Sequence, residues 1–148
     1  MGTTATLAAI VDGALVCAQV GDSRAYVLHE GELTQITRDQ TMAELLRSSG
    51  IVPEGADQEV VGANVILQAL GSSSHLDVVV TFTPLAPGDT ILLCSDGLSG
   101  VVPHAVIGDV LRAHDDPDRA CDALIAHTLD AGAPDNVTCV VFQLRGWS

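Results

Sequence analysis

The sequence predicts one α+β domain, with an antiparallel meander first and helices inserted later. Three observations carry that reading. The first 37 residues alternate short apolar runs with small-residue turns. Two helical patterns sit back to back after Pro103. An apolar run at 137–144 then returns to strand character. At 148 residues the chain is long enough for one domain with a real core. With 47% hydrophobic but only 3% aromatic residues, that core must be built from Val, Leu, Ile and Ala.

Taken in order, "TTATLAAIV" reads as a strand, and Asp12-Gly13 is a strong two-residue hairpin signal before "ALVCAQV". The chain bends at "GDSR", continues as "AYVLH", turns at Glu30-Gly31 and returns as "ELTQIT". Residues 38–50 predict a helix, with Asp39 as N-cap, an apolar stripe at Met42, Leu45 and Leu46, and Gly50 as its end. The stretch 51–64 is weakly patterned and reads as a connection, and "VILQALG" as one or two helical turns. Residues 75–85 return to strand, "APGD" is a turn, and "TILLC" is another strand. Pro103 opens a helix through "HAVIGDVLRAH". Asp115 or Asp116 caps a second helix from Pro117, and the two should pack as a pair on a sheet face. A loop "AGAPDN" leads into the last strand.

The net charge of −13 argues against nucleic acid or an anionic membrane as partner. No apolar run approaches the roughly 20 residues of a membrane span, and no signal peptide is visible, so a cytoplasmic location is expected. The four cysteines form no C-x-x-C pair, and Cys17, Cys94 and Cys139, which lie in β-like apolar runs, read as small buried hydrophobes in a reducing compartment. Neither they nor the five histidines cluster at zinc-ligand spacing.

Three aspartates stand where an apolar strand meets a small-residue turn: Asp22 in "VGDSR", Asp96 in "CSDGL" and Asp135 in "APDNV". Asp96 follows a strand and Asp135 precedes one. In an antiparallel sheet those two positions lie side by side. Carboxylates converging there repel unless a cation sits between them, and all-oxygen ligation selects Mg²⁺ or Mn²⁺. Singly, each also fits ordinary turn chemistry.

The order of these motifs is more specific than any one of them. "GTTA" at 2–5, "VGDSRAY" at 20–26, "LTQIT" followed by "RDQT", "LLCSDGLS" at 92–99 and "APDNVT" at 133–138 resemble the PP2C-type (PPM) metal-dependent serine/threonine protein phosphatases in their bacterial form. The resemblance implies a β-sandwich flanked by helices in α-β-β-α layers, incomplete at its N-terminus here, with residues 1–148 as the C-terminal two-thirds of one domain and a flap at about 39–70. It implies hydrolysis of phosphoserine or phosphothreonine in proteins by water activated by two Mn²⁺ or Mg²⁺ ions. Asp96 and Asp135 match the ligands of the first ion, and Asp22 matches a ligand of a third, weaker ion. The implied partner is a phosphorylated protein, such as a serine/threonine kinase or its targets.

Two departures accompany the match. The family's D-G-x-G-G motif, whose Asp bridges the catalytic ions, has no counterpart, since Asp12-Gly13 follows "GTTA" and reads as a hairpin turn. Gly100 stands where the family usually carries a further Asp for the third ion. A non-catalytic pseudophosphatase or fragment that binds a phosphoprotein or partner is therefore the competing expectation. Self-association through open sheet edges is expected as well.

Overall fold

The computed structural model describes residues 1–51 and 65–146. Among the described residues seven strands and four helices follow in the order β1 (Ala5–Val11), β2 (Ala14–Val20), β3 (Arg24–His29), β4 (Glu32–Gln35), α1 (Met42–Ser48), β5 (Val79–Pro84), β6 (Thr90–Cys94), α2 (Asp96–Ser99), α3 (His104–Ala113), α4 (Pro117–Asp130) and β7 (Cys139–Gln143).

The turn residues act as the sequence predicts. Asp12 and Gly13 take φ of 48° and 79°, and Glu30 and Gly31 take 47° and 84°. Positive φ at both central residues matches the right-handed twist of the flanking strands. The resulting hairpins are in tight register, Val11 opposite Ala14 and His29 opposite Glu32.

The strands form two antiparallel sheets, β1-β2-β5 and β4-β3-β6-β7. Leu15 from the first sheet packs with Val27 and Ile91 from the second, so the sheets face each other as a sandwich. The other face of the four-stranded sheet is covered by α3 and α4. There Tyr26, Leu92, Leu98, Ile107, Leu111 and Leu124 build the larger core. Fully burying a leucine of this kind contributes about 1.5–3 kcal/mol. The outer face of β1-β2-β5 is different: Leu7, Val11, Val80 and Phe82 are all exposed, Phe82 at 72%. They lie on one face by strand alternation and by the register Leu7–Ala18–Val80 and Val16–Phe82.

Four expectations need correction. The first helix is shorter than 38–50, and its N-cap is Thr41, whose hydroxyl accepts from the Glu44 amide. Asp39 is drawn away instead by Arg24, fifteen residues earlier, in a bidentate ion pair of 2.6–3.1 Å. "VILQALG" is not helical: Ile66 bridges Thr41 and Leu70 bridges Thr3, so two isolated β-bridges hold it extended. The strand expected over 75–85 begins at Val79. Residues 52–64, most of the weakly patterned connection and part of the expected flap, lie outside the described residues. The later helices form as expected, with Asp116 as the cap of α4.

Candidate metal site

The antiparallel pairing brings three strand ends together. Arg24 at the start of β3 lies opposite Cys94 at the end of β6, and Cys94 lies opposite Cys139 at the start of β7. The residues just outside these ends share one edge: Asp22 before β3, Asp96 after β6 and Asp135 before β7.

Each motif is held there by local bonds. In "GDSR", Gly21 has φ of 108°, and a Cβ at that position would fall 2.3 Å from the Thr4 methyl. Only glycine fits. Thr4 Oγ1 meets Ser23 Oγ at 3.2 Å, and Thr6 Oγ1 donates to the Ser23 carbonyl. The "GTTA" strand is thereby stitched to the bend that carries Asp22. Gln19 is almost fully buried. It donates to the Gly21 and Ser23 carbonyls and accepts from the Arg38 amide. The Gly21 amide donates to Gln40 Oε1 at 2.6 Å, and the Gln40 amide donates to the Gly21 carbonyl. These threonines and glutamines organise the bend. In sequence they look like ordinary strand and turn residues, and only the placement of "GTTA" and "RDQT" on either side of "GDSR" signals their role.

The "SDG" and "DN" segments are pressed together. Asp96 is not a turn residue: it begins α2, with Ser95 as N-cap. Ser95 and Thr138 are tied twice, by Ser95 N–H to the Thr138 carbonyl and by Thr138 N–H to Ser95 Oγ, each at 3.0 Å. A Cβ at Gly97 would lie 2.1 Å from the Asn136 carbonyl oxygen and 2.9 Å from its carbon. Gly97 has an ordinary helical backbone, so here glycine serves close approach rather than an unusual φ. The loop after Asp135 rests directly against the residue after Asp96. At Gly100 a Cβ would sit 2.8 Å from the Asp96 carbonyl oxygen, so that position is locally crowded.

The side chains are less converged than the backbones. Among the described residues no three His, Cys, Asp or Glu side chains gather into a ready ligand cluster. Asp96 and Asp135 are exposed, and one Asp135 carboxylate oxygen accepts from the Asn136 amide at 2.7 Å. Asp22 is half-buried. Burial raises its pKa above the usual carboxylate value, and the nearby Asp96 adds to the rise. Asp22 and Asp96 thus feel each other.

The counter-charge nearest this edge is engaged elsewhere: Arg24, which lowers the Asp22 pKa against the effect of burial, is paired with Asp39. All six basic residues are arginines. Arg24, Arg38, Arg47, Arg112 and Arg119 pair with Asp39, Glu44, Asp109 and Asp116. No ion pair among the described residues reaches Asp22, Asp96 or Asp135. Two exposed carboxylates and a half-buried third, whose pKa is raised by burial, thus stand on neighbouring strand ends, and all three offer the oxygen donors that hard cations prefer.

Comparison with known proteins bears on the whole chain. Residues 1–46 match the family Protein phosphatase 2C. A serine/threonine phosphatase, stp, of Listeria welshimeri is 35% identical over 144 residues, 97% of this chain and 57% of the relative. PstP of Mycobacterium tuberculosis, a serine/threonine protein phosphatase, is 39% identical over 142 residues, 95% of this chain and 27% of that protein. The crystal structure of the M. tuberculosis phosphatase PstP/Ppp superposes with a TM-score of 0.92 at 36% identity, covering 99% of this chain and 61% of that one. A PstP catalytic domain in complex with two manganese ions gives a TM-score of 0.82 at 37% identity, with 95% and 58% covered. The chain therefore spans less than two thirds of these relatives.

Proposed function

Because the chain belongs to the PP2C-type (PPM) phosphatase family, we propose that it forms the part of a protein serine/threonine phosphatase that holds one catalytic divalent ion. Asp96 and Asp135 are its protein ligands, and the ion is Mn²⁺ or Mg²⁺. Asp22, next to Asp96, is the ligand of a weaker ion, with no carboxylate at Gly100 to assist it. The substrate is a phosphoserine or phosphothreonine protein, such as a serine/threonine kinase or its targets, in the cytoplasm. The relative solved with manganese supports the choice of ion.

The observation that carries this reading is the contact at Gly97. Its lack of a side chain lets the Asn136 carbonyl close onto the "SDG" segment, which sets Asp96 and Asp135 on adjoining backbones at an edge whose arginine, Arg24, is tied to Asp39. When bound, a divalent ion supplies Lewis acidity toward water and phosphoryl oxygens. The chain's own residues do the positioning. Ser95 and Thr138 lock the two ligand segments to each other. Gly21, Thr4 and Gln40 fix the bend that aims Asp22 at the same edge. Two carboxylates alone should hold Mg²⁺ weakly, because it dehydrates reluctantly.

The test is hydrolysis of a phosphothreonine peptide by the full-length protein with Mn²⁺. Asp96→Asn should abolish turnover while leaving the folded content unchanged by circular dichroism. Undiminished turnover in that variant would refute the assignment. Absence of turnover in the unmutated protein, with phosphopeptide binding retained, would favour a pseudophosphatase.

A further inference from the structure

One arginine stands at the edge that carries the candidate ligands. Arg24 opens β3, two residues after Asp22. Two Cα atoms at that separation lie no more than about 7 Å apart, within the span of an arginine side chain. The guanidinium nevertheless forms no ion pair with Asp22. Its Nε donates to both Asp39 oxygens at 2.9 and 3.1 Å, and its Nη2 donates to Asp39 Oδ2 at 2.6 Å. Its Nη1 donates to the Tyr26 hydroxyl at 3.2 Å, so all three nitrogens are engaged. Only 28% of the Arg24 side chain and 16% of the Asp39 side chain are exposed. A cation so far withdrawn from water needs an acceptor.

Asp39 comes from fifteen residues further on, and its chain neighbours hold it at the bend. The Arg38 amide donates to Gln19 Oε1 at 3.2 Å, and Gln40 exchanges two hydrogen bonds with Gly21. The residues on both sides of Asp39 are thus bonded to the chain just before Asp22. Gln35 Nε2 adds a bond to Asp39 Oδ1 at 3.3 Å and another to the Thr37 carbonyl at 2.9 Å. The Asp39 carboxylate is fully supplied with donors. Asp22 has no ion pair among the described residues. Burial and then Asp96 raise its pKa while Arg24 counters them, so the guanidinium is felt at Asp22 without pairing with it.

We propose that Asp39 is a positioning residue: it clamps Arg24 and thereby keeps the Asp22 carboxylate open to a divalent cation. The inference rests on the reading of Asp22 as the ligand of the weaker ion. Arg24 and a cation compete for the same two oxygens. Released from Asp39, the half-buried guanidinium turns to Asp22, and a cation must then displace a charge-assisted hydrogen bond before it binds. An arginine two residues past a ligand carboxylate is a built-in competitor, and the Asp of "RDQT" removes it.

The experiment titrates Mn²⁺ by calorimetry into the full-length protein, Asp39→Asn, the double variant Asp39→Asn with Arg24→Gln, and Asp22→Asn. Crystal structures of the unmutated protein and of Asp39→Asn are determined in EDTA. In metal-free Asp39→Asn, the Arg24 guanidinium should lie within hydrogen-bond distance of Asp22. The weaker Mn²⁺ site should lose about ten- to hundredfold in affinity, the cost of breaking a hydrogen bond to a charged group. The double variant keeps the net charge and lacks the competitor, so it should regain the unmutated affinity; a merely structural role for Asp39 would give no such rescue. The proposal is overturned if Arg24 stays off Asp22 in the metal-free variant, if Asp39→Asn keeps the weaker site, or if the double variant binds as poorly as the single one. Asp22→Asn separates the proposal from the reading beneath it. If every Mn²⁺ site survives in Asp22→Asn, Asp22 is no ligand, and that reading falls and takes the proposal with it. If a site is lost there but kept in Asp39→Asn, the proposal alone falls. Should Asp39→Asn not fold, Asp39→Ser removes the same pair of acceptor oxygens and replaces it in each comparison.

Discussion

The two ends of the four-stranded sheet treat their carboxylates in opposite ways. At the far end, Asp89 precedes β6 and its side chain is only 4% exposed. It is fully provided for: the Ala86 amide donates to one oxygen at 2.8 Å and His29 Nδ1 lies 2.7 Å from the other. At the near end, Asp22 and Asp96 have no ion-pair partner among the described residues, and burial plus mutual repulsion raise the Asp22 pKa. A buried carboxylate used for structure is given donors. The absence of an ion-pair partner at Asp22 and Asp96 is what the proposed cation site calls for.

The sharpest way to break the contrast is Gly97→Ala. Its methyl would collide with the Asn136 carbonyl, so the two ligand segments must separate. We expect a loss of about 1–3 kcal/mol in urea unfolding, as for overpacking elsewhere, together with a large fall in Mn²⁺ affinity by calorimetry. Next comes Asp89→Ala at the far end. It strips the Ala86 amide and His29 of their acceptor and should cost about 1–3 kcal/mol in the same assay, with Mn²⁺ affinity unchanged.

A smaller effect sharpens the far end through pH. Hydrogen bonding to Asp89 raises the His29 pKa above its ordinary 6.5. The folded state then binds the proton more tightly than the unfolded chain. The stabilisation is complete below about pH 6.5 and is lost as pH rises through the folded pKa. His29→Gln should flatten that part of the stability–pH curve. The smallest effect is at the near end: Asp22→Asn removes a carboxylate that burial and Asp96 disfavour, so in EDTA the midpoint of thermal unfolding should rise slightly. A clear drop would mean that Asp22 is a structural residue with donors of its own.

Much of this was legible in the sequence because the signals were local. Asp12-Gly13 and Glu30-Gly31 specify their turns within two residues, and Pro117 with Asp116 specifies the start of α4. Antiparallel order alone placed Asp96 and Asp135 at one edge. What escaped was set by distant partners. Asp39 looks like a cap until Arg24 takes it, and Thr41 then caps the helix. "VILQALG" has helical composition but is held extended by single bridges to Thr41 and Thr3. Nothing local to Gly97 shows that the Asn136 carbonyl, 39 residues on, occupies the space its side chain would take. Nor does a single strand pattern reveal that Leu7, Val80 and Phe82 line one open face, since that depends on three strands in register.

The most direct test of the central claim is Mn²⁺ titration by calorimetry on the full-length protein, on Asp96→Asn and on Asp89→Asn. The account predicts that Asp96→Asn loses the tightest Mn²⁺ site while Asp89→Asn keeps it. Equal Mn²⁺ affinity in Asp96→Asn and the unmutated protein would contradict it.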